Sequence, residues 1–388
     1  MDQDELFDAI TIEQLRDTGG LKWSQYPDAI GAFVAEMDFG TAPPVRDALR
    51  EAVDRGVFGY LPESWAQRLA VSWCDWAVEH YGWDVPPERV RPLADVMAGL
   101  QAAIEHFSPP GSPVILPTPA YMPFLVAPPA LGREVIEVPM AFDGTTYVYD
   151  LDALEAAYRA GGRLLVLCNP HNPIGRVLRR DEMQAISEVV ERYGGRVFSD
   201  EIHAPLVYDG HHHVPYASVS DVTASHTVTA VSASKAWNLP GLKCAQLVLS
   251  NQADANIWAE VGQFAEHGAA NLGVVANIAA YDAGDPWLSD VLRYLDGNRL
   301  LLRELLADRL PEVRYLPPQG TYLAWLDCRE LGLGDHPAEF FLERAGVALT
   351  DGPACGGAGT GFVRYNFATP RPILERTVEQ MTGAVRHR

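Results

Sequence analysis

Short apolar runs that end in Gly, Pro, Asn or Asp alternate along this chain with longer stretches of helical period. Six of the runs read as buried strands: 112–117, 134–138, 163–168, 196–200, 227–231 and 245–250, most of them rich in β-branched residues or leucine. Helical patterns lie between them, near 94–107, 151–160, 181–193 and 253–265, and would serve as crossovers between parallel strands. This alternation predicts an α/β fold with a mostly parallel central sheet flanked by helices. From about 286 the pattern changes to a long helical stretch from Trp287 to Leu310, an apolar run 320–326, a helix near 337–345 and a second run 361–368. A smaller α+β domain is expected there. The boundaries are then 1–44 for an N-terminal segment, 45–285 for the large α/β domain and 286–388 for the C-terminal one. The first segment is Pro-rich and has too few apolar positions for a core of its own, so it is expected to pack on the smaller domain or on a partner subunit.

Composition narrows the function classes. The chain has 388 residues, 51 acidic against 30 basic, for a net charge of −21, and is 48% hydrophobic. That length and balance exclude a small disulfide scaffold and a disordered chain. The negative field disfavours nucleic acid and membrane surfaces as partners. Five scattered cysteines without a C-x-x-C pair predict a reducing compartment and no zinc site. The acidic start, Met1 to Asp8, lacks the basic and apolar parts of a secretory signal, and no apolar stretch of about 18 residues occurs. The expected location is the cytoplasm. Three adjacent histidines, His211 to His213, cannot all face one ion and read as a solvated turn; no metal is expected.

The chemistry-bearing residues sit at or just past strand ends, where open α/β sheets bind ligands. Asn169-Pro-His-Asn-Pro-Ile-Gly175 follows one strand, Asp200-Glu-Ile-His203 another, and Ser232-Ala-Ser-Lys-Ala-Trp-Asn-Leu-Pro-Gly241 a third. Lys235, among small and apolar neighbours, reads as a nucleophile or base, or as a solvated loop lysine. Asp200 reads as a helix cap or, beside that lysine, as the acid that partners a pyridine nitrogen. In Gly361-Phe-Val-Arg-Tyr-Asn-Phe367, alternation puts Phe362, Arg364 and Asn366 on one face, and an arginine centred in an apolar strand needs an anionic partner.

These segments resemble the fold-type I pyridoxal phosphate enzymes of the class I/II aminotransferase superfamily. Within them the chain is most similar to the MalY/PatB-type cystathionine β-lyases, through Ala35-Glu-Met-Asp-Phe-Gly40, Phe58-Gly-Tyr60, Pro117-Thr-Pro-Ala-Tyr-Met-Pro-Phe124 and Gly210-His-His-His-Val-Pro215 as well. The resemblance implies pyridoxal 5'-phosphate bonded to Lys235, which then acts as base at the substrate Cα. It implies Asp200 on the pyridinium nitrogen, Asn172 and Tyr208 on the ring hydroxylate, and Tyr121 stacked on the ring. For the phosphate it implies the backbone N–H groups of Val96 and Met97 with Ser232, Ser234 and Lys243, and Tyr60 reaching across from a neighbouring subunit. Arg364, with Asn172 and Tyr121 nearby, would hold the substrate carboxylate. Asp95 in place of a glycine, Lys243 in place of an arginine and Pro205 in place of an acid depart from the pattern.

The function so implied is a carbon–sulfur β-lyase that cleaves L-cystathionine or another L-cysteine S-conjugate to a thiol, ammonia and pyruvate. The substrate is a small amino acid and the enzyme a homodimer with shared active sites. An aminotransferase is the alternative on the same residues, followed by decarboxylative or oxidative processing of a cysteine conjugate and by a non-catalytic regulator. His203 reads as structural and stands outside the catalytic set.

Overall fold

The computed structural model describes residues 3–388. Its main sheet has seven strands: β1 (Val90–Leu93), β2 (Val114–Thr118), β3 (Val135–Pro139), β4 (Leu164–Cys168), β5 (Arg196–Asp200), β6 (Thr227–Val231) and β7 (Ala245–Leu249). The spatial order is β1-β7-β6-β5-β4-β2-β3. β3, β2, β4, β5 and β6 run parallel, while β7 is antiparallel to both its neighbours, β6 and β1. All six strands expected from the apolar runs are present. The seventh, β1, was not expected, because Val-Arg-Pro-Leu is no apolar run; its proline and arginine are tolerated at the sheet edge.

Helices cover both faces. One face buries Leu100, Phe124, Phe198 and Trp258, the other Leu154, Met183, Val190 and Tyr216. Helix Val96–His106 lies close against the first face because Gly99 has no side chain: a Cβ there would sit 3.2 Å from both Phe198 Cε2 and the Ala230 Cβ. Four further helices, Pro43–Asp54, Glu63–Tyr81, Asn271–Ala283 and Arg371–Arg386, fill regions the strand pattern left unassigned.

The C-terminal part builds a second sheet from β8 (Arg314–Tyr315), β9 (Leu323–Asp327), β10 (Thr350–Asp351) and β11 (Phe362–Asn366), in the order β8-β9-β11-β10 and antiparallel throughout. The N-terminal segment is stitched to it. Ile30–Gly31 pairs in parallel with Val347–Ala348, the Asn366 side chain donates to the Val34 and Glu36 carbonyls, and the Asp38 N–H to the Ala368 carbonyl at 3.0 Å. The same segment reaches the large sheet's loops: Asn238 exchanges bonds with the Met37 backbone, and Thr41 donates to the Trp237 carbonyl. Among the described residues, no helix is long and apolar enough to cross a membrane. All five cysteines are buried free thiols.

Candidate active site

Because β4, β5 and β6 are parallel neighbours, with Cys168 opposite Asp200 and Asp200 opposite Ala230, their carboxyl ends open on one edge of the sheet. Lys235 rises from the turn after β6. Its Nζ donates to the Ala35 carbonyl at 2.9 Å, the same carbonyl that takes the Tyr322 hydroxyl at 2.9 Å. Burial and the Arg364 charge pull the Lys235 amine down to about 8, while Glu36 and Asp200 oppose the shift. A lysine so placed holds a sizeable neutral, nucleophilic fraction near neutral pH.

Asp200 ends β5 and is buried; one carboxylate oxygen accepts the Ile202 N–H at 3.0 Å. Burial raises it to about 7, and the Ile202 bond and Lys235 only partly counter that rise. The strand end is fixed by its neighbour Glu201, whose carboxylate takes the Ser199 hydroxyl, the Tyr216 N–H and His213 Nε2 within 2.9 Å. Asp200 titrates at about 7 when folded against 3.8 in a model peptide, so its ionisation costs stability through the window from about 4 to 7, and the full cost stands above 7. Cofactor-free Asp200→Asn should therefore melt above cofactor-free wild type at pH 8, by about 4 kcal/mol of stability, and the two should converge at pH 4. Equal melting at pH 8 would contradict the burial argument.

Arg364, on β11, is 2% exposed and has no carboxylate partner among the described residues. Nη1 donates to Asn172 Oδ1 at 3.2 Å and Nη2 to the Phe33 carbonyl at 2.7 Å and Thr350 Oγ1 at 3.1 Å; Nε is buried with nothing to donate to. Burial pulls its pKa down. Nη1 also reaches Met122 Sδ at 3.7 Å, and a desolvated guanidinium held only by neutral partners is a site that lacks its anion. Tyr121 lies in the same space, within the fields of Arg364, Asp200 and Asp95, and burial pushes its phenol up.

At the far end of the cleft, helix Val96–His106 starts with Asp95 as cap. One carboxylate oxygen accepts the Ala98 N–H at 3.0 Å, leaving the Val96 and Met97 N–H groups free at the helix start. The other oxygen meets Lys243 Nζ at 2.9 Å, so the lysine offsets the unexpected acid. Ser232 is buried and its hydroxyl bridges the Cys244 carbonyl and the Ser234 N–H. These donors fit a group that carries a pyridine nitrogen for Asp200, a carbonyl carbon for Lys235 and a phosphate for the helix start. Pyridoxal phosphate has all three.

Two expected residues stand elsewhere. Tyr208 turns its hydroxyl to the Thr321 carbonyl at 2.6 Å and its ring lies under the Arg299 guanidinium at 4.6 Å. Its hydroxyl proton is given to that carbonyl. Tyr60 is fully exposed and takes no part in the site of its own chain. His203, left outside the catalytic set by sequence, is 2% exposed, and burial with the charges of Lys235 and Arg364 lowers its pKa.

A parallel sheet that gathers a lysine, an aspartate and an arginine from the second sheet in this way defines the fold-type I architecture, and the chain belongs to the aminotransferase class I and II family, whose model matches residues 30–380. Within it the chain is similar to the cystathionine β-lyase of Corynebacterium glutamicum, 37% identical over 96% of this chain and 99% of that one. A solved structure from Corynebacterium diphtheriae, a candidate pyridoxal-phosphate-dependent β-cystathionase, is 41% identical with a TM-score of 0.92 over 97% of this chain and 98% of that one. The pyridoxal-phosphate-bound C-S lyase of Staphylococcus hominis superposes with a TM-score of 0.89 at 27% identity, over 98% of each chain.

Proposed function

We propose that the protein is a pyridoxal-phosphate-dependent carbon–sulfur β-lyase that cleaves L-cystathionine or a related L-cysteine S-conjugate to a thiol, ammonia and pyruvate. The observation that carries the reading is Arg364: a buried cation without an anion, on the same cleft as a lysine whose amine is lowered to about 8, binds an α-amino acid by its carboxylate. Bound pyridoxal phosphate supplies an electron sink for charge that develops at Cα. Asp200 holds the proton on the ring nitrogen, Asn172 stands beside Arg364 to orient the substrate, and Tyr121 covers the cleft on one side. Lys235 removes the Cα proton; loss of the β-thiolate follows. Val96, Met97, Ser232, Ser234 and Lys243 hold the phosphate.

The test is pyruvate and free thiol from L-cystathionine and from S-methyl-L-cysteine over many turnovers, with no 2-oxo acid present. Sustained pyruvate is expected. Product that accumulates only after a 2-oxo acid is added, with a new amino acid formed from it, would replace this reading by the aminotransferase one.

The reading includes a homodimer. Phe58 is 70%, Tyr60 100% and Phe264 90% exposed, and their segments meet where Asn271 Nδ2 donates to the Gly59 carbonyl and where Leu61, Glu266 and His267 line one cavity of about 620 Å³. Aromatic rings grouped on one surface support a second copy as their cover. A sedimentation mass of one chain with full activity would refute it. The buried thiols support a reducing, cytoplasmic setting.

A further inference from the structure

Behind the turn that carries Lys235 lies a buried polar chain that the chemistry above does not use. Asn277, in the middle of helix Asn271–Ala283, is buried; its Oδ1 accepts the Ala233 N–H at 3.1 Å and Gln246 Nε2 at 3.4 Å, and its Nδ2 donates to the Gly273 carbonyl at 2.9 Å. Gln246, on β7 and buried as well, takes the Tyr281 hydroxyl at 2.9 Å. Both side-chain amides are therefore satisfied, and the chain ends on a backbone group of the turn. That group needs a partner. The Ala233 carbonyl takes the Trp237 N–H at 3.0 Å and the Ser234 carbonyl the Leu239 N–H at 2.8 Å, so the N–H groups that open this turn have no acceptor within it, as at the start of a helix. Ser232 Oγ takes the Ser234 N–H at 3.0 Å, and Asn277 takes that of Ala233. Ala233 is fully buried, so water cannot stand in for Asn277 unless the turn opens. A buried N–H left unpaired costs free energy. The smallest movement that relieves it is rotation of the Ser232–Ala233 peptide, which re-aims Ser232, Ser234 and Lys235 together.

We propose that Asn277 is a positioning residue for the cofactor: by fixing the Ala233 N–H it holds the 232–235 turn in the shape in which the serines and the Lys235 amine meet pyridoxal phosphate at once. The proposal rests on the pyridoxal phosphate reading above. Asn277 acts through the backbone of the turn, since its own polar atoms are spent on Ala233, Gly273 and Gln246. An asparagine that only satisfied the core would, when lost, weaken the cofactor-free and the loaded protein alike. A positioning residue weakens the loaded protein more, because the cofactor then binds a turn that must first be restored.

The experiment titrates the cofactor-free protein with pyridoxal phosphate, read at the visible absorption band, and melts the cofactor-free and loaded forms, for wild type, Asn277→Leu, Asn277→Asp and Asn298→Leu. Asn298 is the control: a fully buried asparagine whose Nδ2 donates to the Phe367 and Thr369 carbonyls and makes no bond to the turn. Asn277→Leu is expected to raise the cofactor Kd about 10-fold or more and to lower the melting temperature of the loaded form further than that of the cofactor-free form. Asn277→Asp, which takes a proton in so buried a site and keeps an oxygen for the Ala233 N–H, should bind within about threefold of wild type. Asn298→Leu should lower both melting temperatures alike and keep a Kd within about twofold of wild type. A wild-type Kd in Asn277→Leu, an Asn277→Asp Kd as high as that of Asn277→Leu, or an Asn298→Leu Kd raised as far would each overturn the proposal. If Asn277→Leu does not fold, Asn277→Ser decides: its hydroxyl can bond the Gly273 carbonyl one turn back but is too short for Ala233, so a Kd raised about threefold or more supports the proposal and a smaller change overturns it. A wild-type protein that gains no visible band with pyridoxal phosphate would instead overturn the cofactor reading itself.

Discussion

Lys235→Ala should lower turnover by about 10⁴-fold or more and remove the visible absorption band from the purified protein in the same step. Both losses have one origin. Among the described residues of the cleft no other side chain combines nucleophilicity with a pKa near neutrality: the Lys235 amine is brought down to about 8, burial lowers His203 well below its usual range and makes it a weak base, and the thiols of Cys168 and Cys355 are pushed up by burial. The change should not unfold the chain. Lys235 makes one hydrogen bond, to Ala35, and its removal frees the fold from a desolvated amine, so cofactor-free Lys235→Ala should melt no lower than cofactor-free wild type. Lys235→Arg is the second arm. It keeps the positive charge but has no neutral amine to offer at any working pH, and should be as inactive as the alanine variant. Turnover above about 1% of wild type in either variant would place the proton transfer on another residue.

How much of this was legible in the sequence depends on whether a side chain or the backbone does the work. Asp200, Lys235 and Asn172 follow apolar runs, and strand ends are visible as the points where such runs stop. Arg364 was visible as a charge inside an apolar alternation. The role of segment 33–36 was not, although Ala35 and Glu36 open one of the segments that carry the resemblance. It enters the site through carbonyl oxygens, Phe33 to Arg364, Val34 and Glu36 to Asn366, Ala35 to Lys235 and Tyr322, and a carbonyl leaves no trace in residue type.

The setting of Tyr208 was hidden for a related reason. The partner that takes the Tyr208 hydroxyl is the Thr321 backbone, 113 positions away, at a residue with φ of 69°; only the folded chain reveals that the proton is already spent. The edge strand β1 and helix Glu63–Tyr81 were missed because each is recruited by what packs on it rather than by a strong local pattern.

Arg364→Lys should reduce kcat/KM for L-cysteine S-conjugates by about 10²-fold, and Arg364→Ala by about 10³-fold, chiefly through KM. A carboxylate is present in substrate and transition state alike, so a fork that grips it contributes to both equally and its loss appears as weaker binding. The lysine variant keeps a charge in the right region but offers a point where the guanidinium offers a planar pair, and one charge-assisted bond of about 1.5–3 kcal/mol is forfeited. The fold has a stake as well. Asn172 Oδ1, the Phe33 carbonyl and Thr350 Oγ1 all lean on this guanidinium, and an ammonium can satisfy part of that set where alanine satisfies none. A control substrate separates binding from disorder: S-methylcysteamine, which has the amine and the thioether but no carboxylate, should compete weakly against wild type and equally weakly against both variants. If instead S-methyl-L-cysteine retains its wild-type KM in Arg364→Lys while the control's affinity changes, the buried cation answers to some other anion and the substrate assignment fails with it. The physical reason to expect otherwise is that nothing among the described residues completes this charge: Asp200 is not bonded to it, Asp95 is paired with Lys243 at 2.9 Å, and no described acidic side chain hydrogen-bonds the guanidinium.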